Sequence, residues 1–175
     1  MFNLEFGYSK LFCILGIIAY ILLLIILPKK IKNNLIPQAG KFLESVKAKD
    51  SKSFIAVLIA APILLCLLFF RELGAVIDFV IFACSIIGVY MVFNEHLLKK
   101  ASGIYENAII ADGKFVKYDD IEIFPTLEWE ESYTNELKVI KKDGTEFSIF
   151  FADEQERAKG VKKILELCKR LAPKK

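Results

Sequence analysis

The uncharged run Leu11–Leu27, LFCILGIIAYILLLIIL, decides how the chain is read. Its 17 residues span about 25 Å as a helix, against a bilayer hydrocarbon core of about 30 Å. Tyr8 and Lys10 extend it, because tyrosine favours the membrane interface and lysine reaches back to it. A buried helix of a soluble protein keeps a polar stripe, and this run has none. Its apolar core is too long for a cleaved leader, and its charges, Lys29 and Lys30, follow it instead of preceding it, so it reads as a retained anchor.

Two further runs repeat the pattern. Phe54–Phe70, FIAVLIAAPILLCLLFF, is uncharged, with Pro62 near its middle. That proline kinks the helix and frees a backbone carbonyl for a neighbouring helix or water. Leu73–Phe93, LGAVIDFVIFACSIIGVYMVF, carries one acid, Asp78. A central acid costs about 2.5–3.5 kcal/mol, and twelve Leu, Ile, Val and Phe residues return about 4–7 kcal/mol, so insertion wins. The simpler reading of Asp78 is a polar tether to Arg71 or to a neighbouring hydroxyl. The functional reading is an intramembrane ion or proton site.

Charge sets the expected orientation. Residues 1–100 carry 11 Lys+Arg against 6 Asp+Glu, and residues 101–175 carry 13 against 15. The basic excess therefore belongs to the membrane half, which argues against nucleic acid as a partner of the rest. The connector 28–53 holds Lys29, Lys30, Lys32, Lys41, Lys47, Lys49 and Lys52 against Glu44 and Asp50, which predicts a cytoplasmic loop. Only Arg71 and Glu72 separate the second and third runs, so these form a tight hairpin with its tip outside. The N-terminus is then outside and the C-terminal part cytoplasmic. Ala39, Phe42, Leu43 and Val46 recur at helical spacing opposite Lys41, Glu44, Lys47 and Lys49, which predicts a short interfacial helix over Gln38–Lys49, or else a helical extension or linker that merely carries the positive charge. Lys29, Lys30, Lys32, Lys41, Lys47 and Lys49 are the expected contacts with anionic lipid.

Residues 101–175 read as a small α+β domain beyond the membrane domain 1–100. Asp112-Gly113 and Asp143-Gly144 each suit a two-residue type I′ hairpin. The first turn sets Ile110 opposite Phe115 and Ile109 opposite Val116. The second sets Ile140 opposite Phe147 and Lys141 opposite Glu146. Between them Ile121, Ile123, Leu127 and Trp129 alternate with Glu122, Glu128 and Glu130, interrupted by Pro125, for a total of about five antiparallel strands. The chain closes on a helix over Glu154–Leu171, where Asp153 and Glu156 form a capping-box pattern. Its apolar stripe is Ala158, Val161, Ile164, Leu165, Cys168 and Leu171.

The succession GIYENAII, the Asp-Gly turn, KFVKYDDIEIF, a second strand pair and an amphipathic terminal helix resembles the bacterial PH-like domains that follow transmembrane hairpins. Gly103-Ile104 and Asp120-Ile121 match that pattern. Ala108 stands where glycine is usual, and Tyr118 lies near the usual tryptophan. The resemblance covers about 70 residues and implies an open antiparallel sheet closed by a C-terminal helix.

Catalytic and metal chemistry find little support. Cys13, Cys66, Cys84 and Cys168 form no C-x-x-C, and His96 is the one histidine. Glu128 and Glu130 share a strand face as solvated neighbours, not as a carboxylate pair across a cleft. Asp119, Asp120 and Glu122 alternate faces and so do not converge on a cation. Lys114 and Lys117 offer a weak basic cup among Asp112, Asp119 and Asp120, while Trp129 and Tyr133 suit a peptide partner. No cofactor is expected. The expected function is a non-enzymatic, membrane-anchored scaffold of a prokaryotic cell membrane, with membrane lipids and a protein partner or a homo-oligomer. The alternatives are a small transport component using Asp78 and the kinked helix pair, and a non-catalytic subunit of a membrane complex.

Overall fold

A computed structural model describes residues 7–48, 53–71, 73–125 and 135–167. They form helices and antiparallel sheets, an α+β mixture divided into two compact units. Unit 1 takes the chain up to Lys29 and from Ser51 to His96. Unit 2 takes Lys30–Asp50 and everything from Leu97 onward.

Unit 1 is made of three helices: α1 (Tyr8–Lys30), α3 (Ser53–Phe70) and most of α4 (Ala75–Lys100). Two helices are long and apolar enough to cross a membrane, α4 and the run from Tyr8 to Ala39 that begins with α1; α3 is a shorter apolar helix. Each helix buries one narrow stripe. On α1 it is Ser9, Cys13, Gly16 and Leu27. On α3 it is Ala61, Leu65 and Leu68, and on α4 Asp78, Ser85 and Val89. Steps of three and four residues are the spacing of a helix–helix seam, and small residues in it let backbones approach. A Cβ on Gly16 would run into the Leu65 side chain, so glycine is what admits Leu65 there. The remaining faces turn apolar side chains outward, with Ile63 56% and Val76 78% exposed.

Unit 2 begins where α1 changes pitch. Ile31–Leu35 is π-helical, with the Ile36 N–H bonded to the Ile31 carbonyl, and α2 (Ile36–Ala39) follows. The chain then turns at Gly40 into β1 (Phe42–Ser45). Of the helix predicted over Gln38–Lys49, only Gln38 and Ala39 are helical; a strand replaces it from Phe42, and Lys49 lies outside the described residues. Its apolar residues are consumed by the domain itself: Ala39 packs under the sheet, and Val46 enters the core.

After α4 come β2 (Gly103–Tyr105), β3 (Ala108–Ala111), β4 (Lys114–Lys117), a 3-10 turn (Tyr118–Asp120), β5 (Ile121–Ile123), β6 (Glu136–Lys141), β7 (Glu146–Phe150) and α5 (Glu154–Leu167). Among the described residues seven strands make two antiparallel sheets, β1-β2-β3-β4 and β5-β6-β7. Six of them lie beyond residue 100, where about five were expected, and Leu127 and Trp129 of the expected strands lie outside the described residues. The sheets share one core, built from Ile104, Ile109, Val116, Leu137, Val139 and Ile149 and closed by Phe151 and Ile164. They meet where the Lys47 N–H bonds the Phe150 carbonyl at 2.8 Å. Alternation along the strands sends Tyr105, Ala108, Ile110 and Phe115 to the other face of the first sheet. There they pack on Ile31, Leu35, Ile36, Ala39, Leu97 and Leu98. Both faces of β2 and β3 are thus covered, which is why those strands read as unbroken apolar runs.

The two hairpins differ. At Asp112-Gly113 both residues have positive φ, 48° and 70°, and Ile110 faces Phe115 as expected. At the second turn only Gly144 is positive, at 78°. Ile140 faces Glu146 and Val139 faces Phe147, one residue from the predicted register, so the loop is Lys142-Asp143-Gly144. This register matches the buried Leu137 and Val139 with the buried Ile149 and Phe147. A register shift in the β5–β6 pairing places Phe124 inward and leaves Ile123 51% exposed, against the alternation expected of Ile121 and Ile123. On α5 the Asp153 carboxylate accepts from the Glu156 N–H at 2.7 Å, the expected N-cap. The buried face is centred on Gly160 and Ile164, flanked by Val161 and Leu167, whereas Ala158 is exposed.

Candidate functional site

In unit 1 the polar groups inside the helix seam are few and specific. Asp78 is 1% exposed. The Ser9 hydroxyl on α1 donates to its Oδ2 at 2.5 Å. Its Oδ1 has no hydrogen-bond partner among the described residues, and neither does the Ser85 hydroxyl. Ser85 lies two helical turns beyond Asp78 on the same face of α4. Of the two tethers anticipated for Asp78, the hydroxyl is the one present. Arg71 is exposed and is not its hydrogen-bond partner.

A second cross-helix bond answers Pro62. A proline at position 62 has no N–H for the carbonyl four residues earlier, that of Leu58. The Tyr20 hydroxyl on α1 donates to that carbonyl at 3.1 Å. The orphan carbonyl was legible from the proline alone. Its partner, like Ser9, was not, because neither spacing nor composition says which faces of two apolar helices meet. Near the other end of the hairpin the His96 ring stacks on Phe54, with centroids 3.7 Å apart and planes 3° apart.

In unit 2 the β2–β3 turn grips the end of α2. The Asn107 N–H bonds the Ala39 carbonyl at 2.9 Å, and the Glu106 N–H bonds the Lys41 carbonyl at 3.1 Å. The Lys41 N–H returns a bond to the Glu106 carboxylate at 3.1 Å. The Tyr105 hydroxyl donates to the Ala101 carbonyl at 2.8 Å, which satisfies a carbonyl left over at the end of α4. The Tyr118 hydroxyl donates to the Tyr105 carbonyl at 2.7 Å. Burial pushes the Tyr105 phenol above its ordinary pKa.

The expected lipid contacts Lys29, Lys30, Lys32, Lys41 and Lys47 all have exposed side chains. Lys49 lies outside the described residues, as do Glu128, Trp129, Glu130 and Tyr133. Lys114 donates to the Glu146 carbonyl at 3.2 Å instead of opening a basic cup. Asp120, Lys141, Lys142 and Asp143 line a recess of about 320 Å³. There the Asp143 carboxylate accepts from Lys141 Nζ at 2.7 Å and from the Thr145 N–H at 2.9 Å. Lys141 first, then the Thr145 N–H, hold that carboxyl well below the usual carboxylate range. The recess is therefore internally charge-compensated. Among the described residues no three His, Cys, Asp or Glu side chains converge on a metal position.

Compared with protein-family models, with curated proteins and with solved structures, the chain matches none.

Proposed function

We propose that the chain is a membrane-anchored interaction module of the cell membrane. In this reading α1, α3 and α4 all span the bilayer, and unit 2 is a PH-like domain in the cytoplasm. The observation that carries it is the pairing of β1 with β2. The α3–α4 hairpin lies between these strands in sequence, so a chain whose hairpin crosses the bilayer and returns delivers both to one compartment. The lysines of that compartment make it the cytoplasmic one. The outward apolar faces of unit 1 support burial in lipid. Four strands, then three, then a C-terminal helix over a shared core support the PH-like reading. That core is filled by side chains, so a partner binds on the domain's surface. The exposed lysines from Lys29 to Lys47 suit anionic lipid.

The test uses the full-length chain in intact cells. A cysteine at Thr145 should resist a membrane-impermeant thiol reagent, and one at Arg71 should react. Labelling at residue 145 from outside, or recovery of the chain in the supernatant after lysis without detergent, overturns the anchoring. Crosslinking from native membranes should then recover a defined protein partner or a second copy. Recovery of neither would remove the interaction reading.

A second reading has its own observation. The unpartnered Asp78 Oδ1 and Ser85 hydroxyl lie along one buried face of α4, which suits a polar path for ions or protons. Flux into liposomes that disappears with Asp78→Asn would favour it. Unchanged leakage with and without the protein would dismiss it.

A further inference from the structure

Among the described residues, Ser9, Asp78 and Ser85 are the buried polar side chains of unit 1. Asp78 differs from the two serines because a carboxyl can carry charge. A carboxylate taken out of water needs both hydrogen bonds and a countercharge in place of its hydration. One hydrogen bond is present, from the Ser9 hydroxyl to Oδ2. A countercharge is not: no described Lys or Arg forms an ion pair with Asp78, and its Oδ1 has no hydrogen-bond partner among the described residues. Asp78 also stands in the first turn of α4, where its N–H bonds the Gly74 carbonyl at 3.0 Å. A helix N-terminus favours a negative group. What this position lacks is therefore a cation small enough to enter a seam that leaves Asp78 1% exposed.

We propose that Asp78 Oδ1 and Ser9 Oγ bind a small monovalent cation of the sodium class, tying the first turn of α1 to the first turn of α4. Ser9 spends its one proton on Oδ2 and keeps its lone pairs for an ion. The last turn of α3 reaches the same end of the seam, where Leu68 shares a packing cluster with Cys13, Phe12 and Ile81. A helix leaves the carbonyls of its last turn without N–H partners, at the negative end of its dipole, so α3 offers further oxygens there. An all-oxygen set suits a hard cation, and no three described His, Cys, Asp or Glu side chains converge to hold a transition metal. One carboxylate balances one positive charge, whereas a divalent ion would leave net charge in an apolar seam. Ser85 lies about 10 Å further along α4 by helical rise, too far to share the ion. The proposal rests on the burial of unit 1 in lipid and names the ion of the second reading above, but it needs no ion to cross.

The test titrates the purified full-length chain in detergent micelles with sodium chloride against choline chloride at constant ionic strength. The thermal midpoint of the parent should rise with sodium, because a ligand of the folded state stabilises it with the logarithm of ligand concentration. Radioactive sodium should bind as a single ion per chain. Asp78→Asn keeps the shape and loses the charge, so its midpoint should be the same in both salts and its sodium affinity at least about tenfold lower. Ser9→Ala keeps the carboxylate and removes one oxygen, and should weaken sodium binding about fivefold. A parent chain that responds alike to sodium and choline overturns the proposal. An Asp78→Asn chain that keeps the sodium response also overturns it, since the ion then binds elsewhere. Where Asp78→Asn does not fold, Ser9→Ala decides: unchanged sodium affinity overturns the site. Sodium binding without flux into liposomes supports the site and dismisses the transport reading. Recovery of the chain in the supernatant after lysis without detergent overturns burial in lipid and the proposal with it, and is read separately from the titration.

Discussion

Tyr20, Leu58 and Pro62 form a three-residue argument that can be measured. Tyr20→Phe leaves the Leu58 carbonyl without a partner inside an apolar seam. The expected loss is about 0.6 kcal/mol and at most about 1.7 kcal/mol, the range of hydrogen bonds between membrane helices. In a Pro62→Ala background the restored N–H of residue 62 takes that carbonyl itself, so Tyr20→Phe should then cost almost nothing. A double-mutant cycle read by reversible unfolding in mixed micelles isolates the coupling. Equal losses in both backgrounds would show that the hydroxyl does not serve the proline. Asp143 makes a prediction of opposite exposure. Its carboxyl is lowered in the folded chain, chiefly by Lys141. Its contribution is therefore present above the ordinary carboxylate pKa of about 4 and lost as pH falls through the lower folded value. Because the group is fully exposed the effect is small. Protection factors of the β6–β7 hairpin amides, which correct for the intrinsic slowing of exchange in acid, should fall slightly below pH 4 in the parent chain and much less so in Asp143→Asn.

Elements were legible where local chemistry alone determines them. The first hairpin could be read from Asp112-Gly113 because both residues adopt the positive φ that a two-residue turn needs. The same dipeptide at Asp143-Gly144 misled by one residue, because Asp143 spends its side chain on Lys141 and Thr145 and leaves only Gly144 left-handed. The cap of α5 was legible for the same reason as the first turn: Asp153 and Glu156 act within four residues. β1 was not. A four-residue strand has too few alternations to outweigh a helical spacing, and its partner β2 lies beyond the hairpin, out of reach of any local rule. The Ser9–Asp78 contact was half legible, since burial of an acid demands a partner but does not name it. Gly160 was missed, though it sits where α5 meets the sheet: a Cβ there would overlap the Phe151 ring and press on Ile104. Gly160→Ala, which raises helix propensity, is therefore expected to lose about 1–3 kcal/mol, the usual cost of overpacking a core. A thermal midpoint that rose instead would mean that α5 does not dock through this residue.

Unit 2 is not simply the stretch of chain that follows α4, and this has an energetic consequence. Residues 101–175 by themselves lack Val46, which fills the core between the sheets, and Ile31, Ala39 and Leu98, which cover Tyr105, Ala108 and Ile110. Burial of an aliphatic side chain stabilises by about 1.5–3 kcal/mol. Losing four such contributions, the alanine being the smallest, removes about 4–8 kcal/mol, against a total of about 5–15 kcal/mol for an ordinary domain. The β2 edge would also lose its pairing, and an apolar face would open to water. The isolated 101–175 fragment is therefore expected to give a collapsed amide NMR spectrum and to aggregate. Residues 30–48 joined by a flexible glycine-serine linker to 97–175, with the hairpin deleted, should give a dispersed spectrum with slow exchange in β3 and β6. The comparison separates two explanations of a poorly behaved fragment. If the linked form is also unfolded, the domain needs the helices of unit 1 themselves. If it folds while 101–175 does not, β1 and the two helix ends are the missing parts, and the hairpin is an insertion that the domain tolerates between its first and second strands.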